Sequence, residues 1–319
     1  MQKNTPLSAD HRVISIGETM AMVTPLTAQS LREAQEFGIH AGGAECTVAL
    51  YLADAGYRSE WVSRLGDDPL GQRILDHVSH YGVGTSQVEL YPHAPTGVYF
   101  KDPGDQATTV YFYRSGSAAS TMGPEMLDRL DPAGAGIIHI SGITAGLSQS
   151  CRELLSAVFA WSREHQVLVS YDVNYRPGLW DPATAGPVLA GYAAQADLVF
   201  VGRDEAETLW GIGDPDELRH QLKISGRLIV KDGDYGATEV SPEGQKVFVP
   251  AHRVDVVEVV GAGDAFTAGY LGALLDGEGP AERLLRGHDT AARALRSTQD
   301  FVPRAAENPP PITADRVGY

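Results

Sequence analysis

"VEVVGAGDAFTAGYLGALL", residues 257–275, sets Gly261, Ala262, Gly263 and Asp264 between an apolar run and a helix-like run rich in small residues. The stretch reads as a strand, a tight turn and a helix start. Loop residues with almost no side chain let backbone N–H groups approach a ligand closely. A helix start adds unpaired donors at the positive end of its dipole. Such a turn suits a phosphate, or negative charge developing on one, and Asp264 is placed to take a proton from an attacking hydroxyl. The plainer alternative is a turn whose aspartate merely caps the helix. The four residues alone favour it. Ala268, Gly269, Gly272 and Ala273 shift the balance, because they let the helix pack closely and put its start deep in the core, where a free aspartate is unusual without a ligand.

Outward from this stretch, short apolar runs alternate with helical ones. "VISIG" (13–17), "EWVSRLG" (60–66), "GIIHISG" (136–142), "QVLVSYDV" (166–173), "ADLVFVG" (196–202) and "GRLIVKDG" (226–233) read as buried strands. Residues 43–56 read as a helix closed by Gly56. In 69–82, Leu70, Ile74 and Val78 share one helical face between Pro69 and Gly82. This is the pattern of a parallel sheet covered on both faces. It is interrupted by "TGVYFKD" (96–102) and "TTVYFYR" (108–114), aromatic runs around Pro-Gly-Asp that predict a β-hairpin. With "MAMVTPL" (20–26) they predict a small antiparallel β lid, built from insertions around 19–40 and 94–115. A further hairpin is expected at 238–250, and a loosely held Pro-rich tail at 304–319. No linker divides the 319 residues, so 1–319 is expected to be one domain.

Bulk properties narrow the partners. A formal charge of −16 repels nucleic acid and anionic membranes, so any anionic ligand must be held by local donors. Cys46 and Cys151 form neither a disulfide framework nor a zinc motif. The N-terminus is not that of a secretory signal, and no apolar run reaches the ~18 residues of a membrane span. A cytoplasmic setting is the expectation. There is no Walker loop, GxGxxG, HExxH or GxSxG pattern, and the ten histidines have no metal-ligand spacing. His139, in an apolar strand, reads as a core histidine.

Ligands of such sheets bind at the carboxyl ends of the strands. Asp172, Asn174 and Arg176 alternate at one strand end and are expected to share a face. Arg176 is suited to fork onto a carboxylate, and Asp172 and Asn174 to order magnesium-bound water or a phosphate. An Asp–Arg ion pair is an equal alternative. Lys231 and Asp232 close another strand. Arg114 leaves the lid hairpin towards a substrate or towards solvent. Gly42 and Gly43 precede a helix and allow close backbone approach.

Together these pieces resemble the ribokinase-like (PfkB) carbohydrate kinases over about residues 12 to 303. "GGAECTVALYLADAGYRSEWVSRLGDDPLG" and, more specifically, "VEVVGAGDAFTAGYL" resemble the two family signatures. "GETM" (17–20), "YRSGSAAS" (113–120), "DVNYRPGLW" (172–180) and "VGRDEAETLWG" (201–211) are similar to the 2-dehydro-3-deoxygluconate kinases within it. The resemblance implies a three-layer α/β/α sandwich with a mostly parallel sheet. It also implies transfer of the ATP γ-phosphate, with Mg2+, to a 2-keto-3-deoxy sugar acid. It makes Asp264 the base and Gly261, Ala262 and Gly263 the anion hole. Gly42, Gly43, Tyr99, Phe112, Arg114 and Arg176 would contact the sugar acid. Lys231, Gly233, Gly236, Gly261, Gly263 and His288 would border the nucleotide, and Glu205 would lie near the magnesium waters.

Four places depart from the family pattern, one of them Gly202-Arg203-Asp204-Glu205 in place of Asn-x-x-Glu, with Glu205 kept. Glu258-Val259-Val260 replaces an Asp-Thr and counts against K+ activation. Thr47 replaces an asparagine, and Phe112 a tyrosine. A fructokinase on the same fold is the nearest alternative, and a non-catalytic sugar-acid sensor is the alternative of another class. The aromatic lid, with open edges, predicts a homodimer through its strands.

Overall fold

The computed structural model describes residues 7–27, 29–104 and 108–304. The chain runs β1 (Arg12–Ile16), β2 (Met20–Pro25), β3 (Phe37–Gly42), α1 (Ala44–Asp54), β4 (Ser59–Gly66), α2 (Pro69–His80), β5 (Val88–Tyr91), β6 (Val98–Asp102) and β7 (Thr109–Tyr113). Two short 3-10 turns lead to β8 (Ala135–Ser141), α3 (Gly142–Leu147), α4 (Gln149–His165), β9 (Leu168–Asp172), α5 (Pro182–Ala193), β10 (Leu198–Gly202), α6 (Arg203–Trp210) and α7 (Pro215–Gln221). Then come β11 (Arg227–Asp232), β12 (Gly236–Val240), β13 (Lys246–Pro250), α8 (Ala262–Leu275) and α9 (Pro280–Ala294).

Nine strands form one sheet in the order β13-β12-β11-β10-β9-β8-β1-β4-β5, parallel from β11 to β5 and antiparallel at β11-β12-β13. Alternate side chains of these strands feed two cores. Ile14, Ile138 and Val199 pack with α4 and α5, whereas Val13, Ile137 and Phe200 pack with α1 and α8. Period-two apolar strands with helices on each side give the expected three layers. The helices start as their sequences dictate. Asp68 caps α2 by accepting from the Leu70 and Gly71 N–H groups, ahead of Pro69, and Ile74 and Val78 are its buried face.

The lid is a four-stranded sheet, β3-β2-β6-β7. The hairpin β6-β7 is antiparallel as expected, but β2 and β6 pair in parallel. The lid is therefore mixed rather than purely antiparallel, because β2 and β6 are not hairpin partners: α1, β4, α2 and β5 intervene, a crossover long enough to permit parallel pairing. β3 and β5 were not foreseen from the sequence.

Two further expectations are corrected. Val257–Val260 is not a strand: the Val257 N–H bonds the Leu295 carbonyl at the end of α9 at 2.7 Å instead of a neighbouring strand, and Val257 and Val259 are exposed. The start of α8 is only half-buried at Gly261–Asp264, and full burial begins at Ala265. Beyond it the small residues do allow close packing, since a Cβ on Gly269 would lie 2.4 Å from the Arg286 carbonyl oxygen of α9. Of the expected tail, residues 305–319 lie outside the described residues.

Candidate active site

The turn before α8 is what its composition demands. Gly261 is the N-cap with φ +86°, a left-handed conformation that a side chain disfavours. A Cβ there would also lie 2.9 Å from the Asp300 Cα. Asp264 stands three residues further on and makes no capping bond. That removes the plain capping reading and leaves its carboxylate free for other partners. Its Oδ1 accepts from Asn174 Nδ2 at 3.2 Å. The Ala262 N–H reaches the Val259 carbonyl at 3.3 Å, so the first-turn donors of Gly263 and Asp264 are the ones left for an anion.

The end of β9 supplies the groups facing Asp264. The strand stops at Asp172, and Asn174 turns left-handed at φ +40°. The expected alternation of Asp172, Asn174 and Arg176 on one face is therefore broken. The turn nonetheless delivers all three to the site by separate routes. Lys231 Nζ of β11 donates to Asp172 Oδ2 at 2.7 Å. Arg176, whose side chain is 42 % exposed, lies 3.5 Å from Glu205 Oε1. Glu205 Oε2 also accepts from the Gly202 N–H at 2.9 Å, closing the first turn of α6.

Three carboxylates (Asp172, Glu205, Asp264) thus face two cations, and the balance shows in their acidities. Burial, then the Asp172 charge, pushes Asp264 up to about 7, while Arg176 and Lys231 pull the other way. Burial and Asp172 likewise raise Glu205. Burial alone would lower Lys231, but the Asp172 and Glu205 charges outweigh it and raise its pKa.

On the far side of the Gly263 backbone lies a cavity of about 750 Å³. Lys231, Gly233, Gly236, Ala262, Gly263 and His288 line it, so five of the six expected nucleotide neighbours share one space with Ala262; the sixth, Gly261, sits at its edge in the same turn. Val256, Val259 and Phe266 add an apolar wall. His288 is turned away from solvent, with Nε2 3.1 Å from the Val249 carbonyl oxygen and its pKa lowered by burial. A second cavity of about 480 Å³ lies behind α8, beside Arg286 and Arg293. Both arginines are already paired, with Asp276 and Asp54.

The expected sugar side is assembled from the lid. Gly42 ends β3 beneath Tyr99, and Gly43 starts α1 with no room for a Cβ, which would lie 2.3 Å from the Glu18 carbonyl oxygen. Tyr99 is buried and donates its hydroxyl to Asp300 Oδ2 at 2.8 Å. Phe112 is half-exposed, with its ring 5.6 Å from that of Tyr99. Arg114 departs most from expectation. It does not face solvent: it is buried and its Nε donates to Glu18 Oε2 at 2.7 Å, with Nη2 on the same oxygen, while its guanidinium lies 5.5 Å from the centre of the Phe112 ring. Ser117 Oγ holds the other Glu18 oxygen at 2.5 Å. The Nε and Nη2 edge of the guanidinium is therefore spent on Glu18. That glutamate lies in the "GETM" run, which was the available signal for it.

Comparison with known proteins identifies the class. Residues 10–303 match the pfkB family carbohydrate kinases, and the chain belongs to that family. It is 34% identical to the 2-dehydro-3-deoxygluconokinase of Bacillus subtilis over 299 residues, 90% of each chain. It is 32% identical to that of Thermoproteus tenax over 291 residues, 89% of this chain and 88% of the other. The crystal structure of the 2-dehydro-3-deoxygluconokinase of Thermotoga maritima superposes with TM-score 0.85 at 24% identity, covering 93% of this chain and 96% of that one. The fold is therefore the ribokinase-like α/β fold. No described helix is long and apolar enough to cross a membrane.

Proposed function

We propose that this chain transfers the γ-phosphate of ATP to the terminal hydroxyl of 2-keto-3-deoxygluconate. One observation carries the reading: a carboxyl with pKa near 7, Asp264, held by Asn174 at the first turn of α8, between Arg176 and the 750 Å³ cavity. The two relatives at 32% and 34% identity support the substrate. ATP occupies the cavity, its adenine against the apolar wall and His288, its phosphates towards Lys231 and Gly263. Arg176, the more exposed of the two expected arginines, holds the sugar carboxylate. Arg114 acts behind it by ordering Glu18. Asp264 takes the hydroxyl proton as the oxygen attacks, and the α8 amides with Lys231 receive the charge that moves across.

Mg2+ fits the donors present. No three acidic, His or Cys groups cluster as a cage among the described residues. Asp172 Oδ1 and Asn174 Oδ1 are buried without a hydrogen-bond partner. Mg2+ keeps most of its waters and leans on substrate phosphates, so these oxygens and Glu205 would hold it through water. When bound it neutralises phosphate charge. Glu258, where the family has its Asp-Thr, turns its carboxylate onto its own Val259 and Val260 N–H groups, which counts against K+ activation.

The test is ADP release with Mg-ATP and 2-keto-3-deoxygluconate, its galactonate epimer, fructose or ribose. Turnover on the keto-deoxy acids alone is expected. Turnover on fructose would keep the base and retire the substrate. Tight sugar-acid binding with no turnover would indicate a sensor. Arg176→Ala should raise KM for the sugar acid by roughly 10- to 100-fold, the scale of one charge-assisted hydrogen bond, and leave KM for ATP within about twofold. The comparison belongs near pH 8.5, because losing Arg176 also raises the Asp264 pKa. An unchanged KM for the sugar acid, or an equal rise in KM for ATP, would end the carboxylate role.

The reading takes the chain as one kinase unit that pairs through its lid. Tyr111 and Tyr113 share one face of the lid edge strand β7 and leave 47 % and 67 % of their surface exposed, a face that a second copy would cover. Light scattering at micromolar concentration should give a dimer, and Tyr113→Lys a monomer; a monomeric wild type would reject this pairing.

A further inference from the structure

The segment after α9 carries a buried acid, Asp300, that no motif signalled. Its carboxylate is divided between two residues of the lid strand β6. Oδ1 accepts from Lys101 Nζ at 2.8 Å and Oδ2 from the Tyr99 hydroxyl at 2.8 Å. Lys101 is 1 % exposed and donates a second bond to the Thr298 carbonyl at 3.0 Å. The backbone of Asp300 packs on the other partner: a Cβ on Gly261 would lie 2.9 Å from its Cα and 3.0 Å from its carbonyl oxygen. The Tyr99 hydroxyl held by Asp300 also roofs Gly42, where a Cβ would lie 1.9 Å from it. One residue therefore touches the lid strand and the turn that opens α8, and through Tyr99 it reaches the loop before α1.

Stability does not require such a pair, because well-packed apolar groups of the same volume hold a core as firmly. What charge and two directed hydrogen bonds add is a single geometry. We propose that Asp300 is a positioning residue for phosphoryl transfer: it fixes β6 to the Gly261 turn, so that the lid over the sugar and the amides of α8 keep one relation. The proposal rests on the reading that the first turn of α8 receives the transferring phosphate.

Asp300→Asn and Lys101→Met test it. The charged and polar groups facing Asp264 are Asp172, Asn174 and Arg176 from the end of β9, Lys231 from β11, Tyr99 from β6, and Asp300. Those facing Asp300 are Lys101 and Tyr99, His40 of β3 and Tyr51 of α1. Asp300 adds to the upward push on Asp264. Removing its charge should move the acid limb of kcat/KM to lower pH, and removing only Lys101 should move it higher. Lys101→Arg, which keeps the charge, should return it towards the wild-type position. In both disruptive variants kcat should fall roughly 10- to 100-fold, the scale of a small misplacement imposed from outside the chemistry. KM for ATP should change less than about twofold, since Asp300 does not line the cavity. Amide hydrogen exchange over 258–264 should quicken in both without any substrate. A purely structural role would lower the melting temperature and leave kcat per folded molecule and the pH limb in place, which overturns the proposal. If the wild type turns over no sugar acid, the functional reading fails on its own. Hydrogen exchange then decides: faster exchange over 258–264 supports the latch, and unchanged exchange there overturns it.

Discussion

Asp264→Asn should lower kcat by about 10²- to 10⁴-fold, the usual worth of a general base, with KM for ATP and sugar little changed. The amide keeps the size of the carboxyl and can still meet Asn174, but it cannot take the proton. The wild type should show the matching pH dependence. Asp264 must be ionised to act, and its pKa is about 7, so kcat/KM should fall tenfold per unit below that pH and level off above it. The same variant should melt at a higher temperature. The folded pKa stands above the ordinary 3.8, so the folded wild type holds its proton where the unfolded chain has lost it. Stability from this group is therefore lost as pH rises from about 4 to about 7, and the uncharged variant escapes that loss. The melting advantage of Asp264→Asn should widen across this window and then hold. Near-normal turnover would remove Asp264 as the base; a variant that melts lower at pH 8 would refute the electrostatic account.

Lys231→Met should cost about 10²- to 10³-fold in kcat, the scale of losing one donor aimed at developing charge. It should also move the acid limb above pH 7. Lys231 is the direct partner of Asp172, at 2.7 Å, and one of the two cations holding the Asp264 pKa down. Without it, Asp172 remains as a buried charge beside the base. Adding Asp172→Asn to the same chain should bring the limb back down without restoring the rate, which separates the electrostatic role of Lys231 from its contact with phosphate. A limb fixed at about 7 with kcat within threefold of wild type would sink both roles.

What the sequence revealed was what local pattern encodes. Period-two strands, the stripe of Ile74 and Val78 in α2, and the small residues of α8 announced the layered sheet. Glycines at special backbone positions marked the turn at Gly261 and the loop at Gly42–Gly43. The residues expected beside the nucleotide came together in one cavity because all but His288, which lies within α9, stand at or near a strand or helix end, where sheets of this kind bind ligands. Long-range pairings were hidden. Arg114 and Glu18 are 96 positions apart, and Lys101 and Asp300 are 199 apart. Nothing local says that either cation is spent inside the protein. "VEVV" has the alternation of a strand, but the Val257 N–H is taken by the Leu295 carbonyl at the end of α9, a long-range bond that no local pattern announces. The left-handed Asn174 was equally hidden, since an asparagine at a strand end is compatible with both conformations.

Gly42 and Tyr99 constrain how this enzyme could acquire a new substrate over evolutionary time. A methyl group at position 42 would collide with the Tyr99 hydroxyl at 1.9 Å and with its ring carbon Cζ at 2.8 Å, so phenylalanine at 99 would not make room. Position 42 therefore cannot gain a side chain while Tyr99 stays in place. Mutational paths towards a different sugar must begin in the lid, with a residue smaller than an aromatic ring at 99, and only later admit a side chain at 42. The first step on that path would already sacrifice the tyrosine's bond to Asp300, so lineages keeping this tyrosine should be confined to glycine at the loop.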